Sequence, residues 1–229
     1  MNGHGGGLLV VSPHPDDDIL GAGGTMSKAV ARGWEVTVLT VTTHGPPLYE
    51  ASNQALRLAE TRDAHALLGI SHSLFLDHPT VEVDRIPNHV LNRQLEDTVA
   101  QRAPRMVLVP FPGRHVDHRR IFDAAMVATR PVGVGRGIQL IAAYEIISDT
   151  HWNAPGIEAA FNPTLFVDIS DHVNAKVTAM ACHASQVHPP PGPRSLNALR
   201  AQAAFRGNQV GVAGAEAFQV IRAVTSCGL

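Results

Sequence analysis

Two short apolar runs, at residues 8–11 and 106–109, constrain the fold of this chain more than any other feature. Each is bounded by glycine or proline and leads through a turn rich in histidine and aspartate into a helical pattern. Short runs without polar residues are typical of strands buried on both faces of a parallel sheet. The alternating pattern predicts an α/β fold, with a largely parallel sheet flanked by helices in a single domain. Further strands are predicted at 35–42, 73–76, 139–147 and 165–169, and further helices at 54–68, 87–102, 173–185 and 195–206.

The turn after the first run carries His14, Asp16 and Asp17. In open α/β sheets, ligands bind beyond the carboxyl ends of the strands, where this turn would lie. Aspartates at the start of a helix also have an ordinary explanation, since they cap the helix and interact favourably with its dipole. Capping does not require a histidine two residues before the first aspartate, so His14 favours a functional site.

The turn after the second run carries His115, Asp117 and His118. A single histidine in a loop is more often solvated or hydrogen-bonded than bound to a metal. Two histidines that flank an aspartate, at the end of a second predicted strand, favour a functional site instead.

These residue types predict a mononuclear metal site with His14, Asp17 and His118 as ligands. A catalytic zinc ion usually has three protein ligands from His, Asp or Glu and one position for water. Adjacent side chains diverge, so Asp16 is predicted to be the general base that takes a proton from metal-bound water. Nitrogen and carboxylate ligands favour zinc, although iron(II) or cobalt would fit the same set.

The second turn leaves two polar residues beside these ligands. His115 is predicted to face the same site, where it would stabilise the developing oxyanion or protonate the leaving amine. Asp117 is predicted to orient a ligand imidazole by a hydrogen bond to the ring nitrogen that does not bind the metal.

The two turns together resemble the hallmark of the LmbE-like, or PIG-L, zinc-dependent deacetylases. That hallmark is a His-Pro-Asp-Asp run after the first strand and a later His-x-Asp-His element, matched here by residues 14–17 and 115–118. Weaker matches extend the resemblance over nearly the whole chain, at residues 21–25, 57–60, 68–69, 167–169, 176, 183–186, 206–207 and 215–218.

The resemblance implies a Rossmann-like fold and hydrolysis of the N-acetyl group of an amino sugar, of N-acetylglucosamine type, or of its conjugate. It implies that His14, Asp17 and His118 bind the metal and that Asp16 is the base, as the residue types also predict. It implies further that His115 stabilises charge during the reaction. Arg57 resembles an arginine with which family members hold the sugar or its substituent. Asp18 departs from the family, which commonly has glutamate at this position.

Several residues outside the motifs are candidates for shaping the pocket. Tyr49, in the loop at 43–53, is predicted to contact the substrate. For Trp152, stacking on a sugar face and an ordinary position in the core or on the surface both remain open. The loop at 187–194 has four prolines among its eight residues and would form a wall, a lid or a plain connection. His183, in the family's His-x-Ser-Gln run, is predicted to support the site from behind the ligands.

Two further expectations concern packing. Gly21, Gly23 and Gly24 resemble part of a dinucleotide fingerprint, but the third glycine of that pattern would fall at Met26. They are therefore predicted to allow close packing of the helix. The helix at 54–68 is predicted to bury an apolar face formed by Leu56, Ala59, Ala66 and Leu67.

Global properties narrow the class of protein. A net charge of −2 and a pI near 6.7 give no electrostatic case for binding nucleic acid or an anionic membrane. The chain of 229 residues is predicted to form one domain over 8–229 after a flexible leader at 1–7. Without a recognisable signal peptide or membrane-spanning run, a cytoplasmic location is predicted. Cys182 and Cys227 are expected to be free thiols, and homo-oligomerisation is left open.

Three functions follow, in order of preference. The first is a zinc-dependent N-deacetylase of amino sugars, in which metal-bound water attacks the amide carbonyl. The second is a metal-dependent amidase for a non-sugar N-acyl conjugate, which would tolerate loss of the sugar. The third is a non-catalytic, Rossmann-like binding module, which would bind a nucleotide or a sugar without metal.

Overall fold

Seven strands form one sheet in the computed structural model, which describes residues 6–225. Their order across the sheet is β3-β2-β1-β4-β5-β7-β6, and the first five run parallel to one another. β7 is antiparallel to both of its neighbours. The strands are β1 (Gly7–Ser12), β2 (Glu35–Thr43), β3 (His72–Pro79), β4 (Met106–Pro110), β5 (Leu140–Tyr144), β6 (Leu165–Asp168) and β7 (Ala215–Ala223).

Helices cover both faces of this sheet. One core cluster joins β1 to α1, α2, α6 and α7, and the other joins β1 to α3 and α4. Leu8 and Val10 belong to the first cluster, whereas Leu9 and Val11 belong to the second, because successive side chains of a strand point to opposite faces. The helices are α1 (Asp17–Ala31), α2 (Ala51–Leu68), α3 (Asn88–Arg102), α4 (Val116–Ala128), α5 (Ile147–Thr150), α6 (Val173–Cys182) and α7 (Leu196–Asn208).

The topology places a crevice between β1 and β4. These two strands are neighbours, but α1 packs on one face of the sheet and α4 on the other. Such a switch point opens a space at the carboxyl ends of the two strands, where ligands bind in open α/β sheets. Both histidine-rich turns lie at this edge.

The glycines of α1 allow close contact with the sheet and with the segment after β6. A Cβ atom on Gly21 would lie 2.0 Å from Cδ2 of Tyr144, and one on Gly24 would lie 2.6 Å from Cδ1 of Ile169. Any larger residue would push the helix away, so the prediction of close packing is confirmed.

The predicted fold class is confirmed, with differences in several of the later elements. β7 was not predicted as a strand, and the strand predicted at 139–147 ends at Tyr144, before the short helix α5. The helix predicted at 173–185 ends at Cys182, which is a free thiol; Cys227 lies outside the described residues. Of the predicted leader, residues 1–5 also lie outside the described residues, while Gly7 opens β1. No described helix is both long and apolar enough to cross a membrane.

The predicted buried face of α2 is wrong. Leu56 and Leu67 are about half exposed, and Ala59 and Ala66 are exposed as well. The helix is rotated because its polar side chains have partners inside the molecule: His65 lies 3.0 Å from Asp18, and Glu60 accepts from the Ser185 amide at 2.8 Å. The face that it buries consists of Glu60, Thr61, Ala64, His65 and Leu68.

Candidate metal centre

The turn between β1 and α1 fixes His14 and Asp17 relative to each other. The Asp17 amide donates to the His14 carbonyl at 3.3 Å, and the His14 amide donates to Asp17 Oδ2 at 3.0 Å. The Ser12 hydroxyl donates to the same carbonyl at 2.7 Å. Between them, Asp16 adopts a φ of +123°, a strained conformation for a residue other than glycine. Strain of this kind persists only where the surrounding contacts impose it.

Three side-chain atoms from the two turns converge on one point. Asp17 Oδ2 lies 2.9 Å from His14 Nδ1 and 3.1 Å from His118 Nε2, and the two histidine nitrogens are 3.2 Å apart. Donor atoms about 2.0–2.1 Å from a tetrahedral zinc ion lie roughly 3.3 Å from one another. This triangle, termed the metal cluster below, therefore has dimensions that suit a small cation.

Two carboxylates contact the outer nitrogens of the cluster histidines. Asp117 Oδ2 lies 3.0 Å from His14 Nε2 and accepts a hydrogen bond from the Val81 amide at 2.7 Å. Asp149 Oδ2 lies 3.5 Å from His118 Nδ1. Carboxylates in this position orient a ligand imidazole and fix its tautomer. The geometry of Asp117 matches its predicted role, and Asp149 was missed, although it follows the carboxyl end of β5 at the same sheet edge.

Two other groups of donor atoms overlap with the metal cluster. The donors of His14, His115 and His118 lie within 4.8 Å of one another, as do those of Asp17, His118 and Asp149. The cluster of His14, Asp17 and His118 has donor distances of 2.9 to 3.2 Å. Nδ1 of His115 accepts the Asp117 amide, and Asp149 faces the nitrogen of His118 that points away from the cluster. We therefore treat His115 and Asp149 as neighbours of the site.

An unpaired buried atom supports a missing cation. Asp17 Oδ1 is buried and has no hydrogen-bond partner among the described residues, although the other oxygen of the same carboxylate faces both cluster nitrogens. A buried carboxylate oxygen without a partner is costly, so its presence in the metal cluster indicates a ligand. Two imidazoles and a carboxylate are a donor set that suits zinc.

The electrostatics of the cluster also favour a positive charge. Burial opposes the imidazolium of His14, but the carboxylates of Asp17 and Asp117 outweigh it and raise its pKa to about 10. Burial would raise the pKa of Asp17, yet His118 and His14 hold it well below the usual value. The His14 hydrogen bond likewise overcomes burial and lowers the pKa of Asp117. In the protein without metal, a proton on His14 supplies the charge that the carboxylates require.

Asp16 lies beside the cluster without joining it. Its Oδ2 is 3.5 Å from Arg194 Nη1, which also donates to Gln186 Oε1 at 2.9 Å. Burial raises the pKa of Asp16 to about 7, against the lowering effect of Arg194. The side chain is almost fully buried. Arg194, in the proline-rich loop, was not predicted as a site residue.

His115 caps α4 one turn before His118. Its Nδ1 accepts the Asp117 amide at 3.2 Å, and its ring lies 4.5 Å from the ring of His14. Burial, together with the charges of His14 and His118, lowers the pKa of His115 to about 4. A neutral ring whose Nδ1 is an acceptor carries its proton on Nε2, so it presents a hydrogen-bond donor.

The predicted substrate residues lie further out. Arg57 Nη1 donates to Ser185 Oγ at 2.5 Å, and its charge is coupled to that of Asp16. The Tyr49 ring is partly exposed and lies 5.0 Å from the ring of His44, which in turn is 5.9 Å from that of His14.

His183 is buried near Asp18 and Glu60, whose charges act on its ring. Its side chain is fully buried, and neither ring nitrogen has a hydrogen-bond partner in the described part of the chain. Burial lowers its pKa to about 4, while Asp18 acts in the opposite direction. Asp18 itself is bound by Ser12 at 3.1 Å and by His65 at 3.0 Å, so the shorter acid at this position is fully held.

A family model covers both turns of the site. Residues 9–129, from β1 to the end of α4, match the PIG-L model, described as GlcNAc-PI de-N-acetylase. The chain is also 30% identical, over 190 residues, to the diacetylchitobiose deacetylase of Thermococcus kodakarensis. That match covers 78% of this chain and 69% of the relative.

Solved structures share the fold. The N,N'-diacetylchitobiose deacetylase from Pyrococcus horikoshii has a TM-score of 0.74 at 25% identity, over 94% of this chain and 83% of that one. The 4-carboxy-2-hydroxymuconate hydratase from Pseudomonas putida has a TM-score of 0.77 at 19% identity, over 98% and 99%. The second likeness concerns the fold alone, since one fold hosts different reactions. The matched motifs and the deacetylase relative decide the family: this chain is a member of the PIG-L family of de-N-acetylases, as its sequence predicted.

Proposed function

We propose that this protein is a zinc-dependent hydrolase that removes the N-acetyl group from an amino sugar of N-acetylglucosamine type or from its conjugate. The observation that carries the proposal is the triangle of His14 Nδ1, Asp17 Oδ2 and His118 Nε2, with sides of 2.9 to 3.2 Å. Membership of a de-N-acetylase family supports the reaction, and the names of its deacetylase relatives support the sugar. The predicted small-molecule partner and cytoplasmic location belong to the same proposal.

The metal would be held by His14, Asp17 and His118. Two imidazole nitrogens and one carboxylate favour zinc, and iron(II) or cobalt would fit the same donors. When bound, zinc supplies Lewis acidity to an amide carbonyl and lowers the pKa of water. Asp117 would keep Nδ1 of His14 turned toward the metal, because its own carboxylate occupies Nε2.

Asp16 would be the general base and then the general acid. Its buried carboxylate stands next to a metal ligand in the chain, and burial, which raises its pKa, favours the uptake of a proton from water. It would take a proton from the attacking water and pass it to the amine as the carbon–nitrogen bond breaks. The ion pair with Arg194 would hold the carboxylate in place.

His115 would stabilise the oxyanion. The sequence left two roles open for this residue, oxyanion stabilisation and protonation of the leaving amine. The neutral ring, with Nδ1 occupied by the Asp117 amide, leaves Nε2–H as a donor and favours the first role. Arg57 and Tyr49 would contact the sugar at the outer edge of the site.

The test is acetate release from metal-stripped protein, with and without added zinc, on N-acetylglucosamine, its conjugates and N-acetylated amines without a sugar. We expect release from the sugars only after zinc is restored. Asp16→Asn should lower the rate roughly 10²- to 10⁴-fold while zinc stays bound. Asp123→Asn, on the exposed side of α4, is the matched control and should keep full activity. Full activity of Asp16→Asn would refute its role, and release from the sugar-free amides alone would indicate an amidase.

A further inference from the structure

Two consecutive residues after α6, Ser185 and Gln186, each bind one arginine near the metal cluster. Ser185 Oγ accepts from Arg57 Nη1 at 2.5 Å, and Gln186 Oε1 accepts from Arg194 Nη1 at 2.9 Å. The arginines come from distant segments, since Arg57 lies on α2 and Arg194 lies in the proline-rich loop just before α7. One short stretch of chain therefore holds two cationic side chains.

Both arginines interact with the charge of Asp16. Arg194 Nη1 lies 3.5 Å from Asp16 Oδ2, and Asp16 is the main cause of the raised pKa of Arg194. Burial lowers the pKa of Arg57; Asp16 opposes this effect, and the positive charge of Arg194 adds to it. Because like charges repel, two guanidinium groups this close need fixed partners to keep their positions.

The hydroxyl of Ser185 is oriented to accept from Arg57. Ser185 Oγ donates its proton to Glu60 Oε2, and the Ser185 amide donates to Glu60 Oε1 at 2.8 Å. A hydroxyl has one donor and two acceptor positions, so an oxygen whose proton is engaged presents a lone pair to the guanidinium. Glu60 is buried one turn after Arg57 on α2. The hydroxyl thus links the two side chains and fixes the direction of the arginine.

The side chain of Gln186 is fixed in the same way. It is 6% exposed, and its Nε2 donates to the Ser185 carbonyl at 2.8 Å. The Gln186 amide donates to the His183 carbonyl at 2.8 Å, which holds the backbone as well. With the side-chain nitrogen engaged, Oε1 is the atom that faces Arg194.

Both holding groups are neutral. A carboxylate in the place of the Gln186 amide would compete with Asp16 for the guanidinium of Arg194. A neutral acceptor orients the arginine and leaves its charge to Asp16. Hydrogen bonds to a charged group are stronger than those between neutral groups, so one neutral acceptor suffices to hold it.

We infer that Ser185 and Gln186 are positioning residues with separate tasks. Gln186 holds Arg194 against Asp16, and Ser185 holds Arg57 toward the sugar. Both tasks rest on the proposed function, in which Asp16 is the base and Arg57 contacts the sugar. A base must be held in place at the reacting atoms, whereas a contact to a distant part of the substrate supports binding. These adjacent residues should therefore affect different kinetic constants.

The first test measures kcat and KM of the zinc-loaded protein on the N-acetylated sugar that the wild type hydrolyses fastest. Gln186→Met, which removes the acceptor, should lower kcat roughly tenfold or more and change KM less than about twofold. Ser185→Ala should raise KM roughly tenfold and change kcat less than about twofold. Ser185→Thr keeps the hydroxyl and should restore the KM of the wild type.

A second variant at Gln186 covers a failure of Gln186→Met to fold. Gln186→Glu keeps a polar side chain of the same length, but its carboxylate would compete with Asp16 for Arg194. The kcat of this variant should therefore also fall, without a change in KM. Thermal unfolding shows which variants are folded.

Two matched controls lie before strands, at the sheet edge opposite the site. Gln139, just before β5, accepts from Arg105 Nη2 at 3.0 Å, so Gln139→Met removes an equivalent hydrogen bond. Ser71, just before β3, accepts from the Val36 amide at 3.2 Å, and Ser71→Ala removes that bond. Both variants should keep kcat and KM within about twofold of the wild type.

The second test observes the arginines without catalysis. Heteronuclear relaxation of the side-chain Nε–H groups in the zinc-loaded protein reports whether each guanidinium is ordered. Gln186→Met should make Arg194 mobile and leave Arg57 ordered, and Ser185→Ala should do the reverse. The two control variants should change neither signal.

The outcomes separate this inference from the proposed function. If acetate is released and both variants keep the kinetic constants of the wild type, or change the same constant, the separate tasks are refuted and the deacetylase stands. If no sugar releases acetate but each variant loosens only its own arginine, the holding of the arginines stands and the proposed reaction fails. If both arginines stay ordered in both variants, Ser185 and Gln186 do not position them, whatever the activity.

Discussion

The molecule contains two buried charged clusters that differ in how completely they are paired. One is the metal cluster of His14, Asp17 and His118. The other, termed the support cluster, consists of Lys176 on α6 and Glu216 on β7, together with the first half of α1. Both are almost inaccessible to water.

In the support cluster, every charged group has partners. Glu216 accepts from the Gly24 and Thr25 amides at 2.9 and 2.7 Å, from the Thr25 hydroxyl at 2.6 Å and from Lys176 at 2.6 Å. Lys176 also donates to the Leu20 carbonyl at 2.8 Å. A carboxylate has about four acceptor positions, so this one is saturated.

The metal cluster is incomplete by the same criterion. Asp17 Oδ1 and His118 Nδ1 have no hydrogen-bond partner among the described residues, and neither does Oδ1 of the neighbouring Asp117. A buried charge is stable only when it is paired or bound to a metal. Both clusters consist of charged residues, but only one has a hydrogen-bond partner for every polar atom. A buried cluster that is fully hydrogen-bonded stabilises the fold, whereas one with unpaired polar atoms is a candidate binding site.

The largest effect is expected when the support cluster is broken. Glu216→Gln leaves the Lys176 ammonium buried without its anion, which should lower the free energy of unfolding by about 3–5 kcal/mol. Urea unfolding of the zinc-loaded and zinc-free proteins measures it. Glu82→Gln is the control, because Glu82 pairs with the exposed Arg85 and should cost less than about 1 kcal/mol. If Glu216→Gln lowered the free energy of unfolding only slightly, or if zinc no longer stabilised this variant, the two clusters would not have separate roles.

The metal cluster should show the opposite behaviour. Zinc at about 100 times its Kd should raise the free energy of unfolding of the wild type by about 2.7 kcal/mol, because it binds only the folded state. Asp17→Asn should remove this increase, whereas Glu216→Gln should keep it. Thermal unfolding with zinc or with excess chelator is the measurement. Equal stabilisation of wild type and Asp17→Asn would refute Asp17 as a ligand.

A smaller effect is expected at Asp149. Asp149→Ala removes the carboxylate that faces Nδ1 of His118, so zinc affinity should fall roughly 10- to 100-fold. Competition with a chelator of known affinity measures this change. Asp123→Ala serves as the control and should bind zinc as the wild type does. If Asp149→Ala abolished binding altogether, Asp149 would be a ligand itself.

The smallest effect is the release of a proton from His14 when zinc binds. The pKa of His14 is raised from 6.5 to about 10, so its charged form stabilises the metal-free protein below pH 6.5, and this contribution is lost as the pH rises through about 10. Zinc needs the neutral imidazole, so binding at about pH 8 should release about one proton from His14, beside any proton that zinc-bound water gives up. Calorimetry in buffers of different ionisation enthalpy counts it. His89→Ala is the control, because His89 is exposed, and it should release as many protons as the wild type. Release of almost no protons by the wild type would show that His14 is already neutral before zinc binds.

Much of this site could be predicted from local sequence. His14, Asp16 and Asp17 follow one apolar run, and His115, Asp117 and His118 follow another. In a parallel α/β sheet, the ends of neighbouring strands meet at one edge, so local patterns were enough to group the residues. The fold class followed from the same alternation of strands and helices.

Other features depended on contacts between distant parts of the chain. The buried face of α2 was predicted wrongly because His65 pairs with Asp18 and Ser73, neither of which has a periodic relation to the helix. β7 joins the sheet antiparallel, through pairing with β5 and β6.

The sequence by itself determined the βα units and the chemical types that meet at their ends, because these depend on residues close together in the chain. The tertiary structure decided which nitrogen of His14 faces His118, that Asp149 lies next to the outer nitrogen of His118, and that Arg194 reaches Asp16. Those contacts join segments separated by tens of residues. Their geometry is set by how the helices and the proline-rich loop pack on the sheet, and no local pattern specifies it.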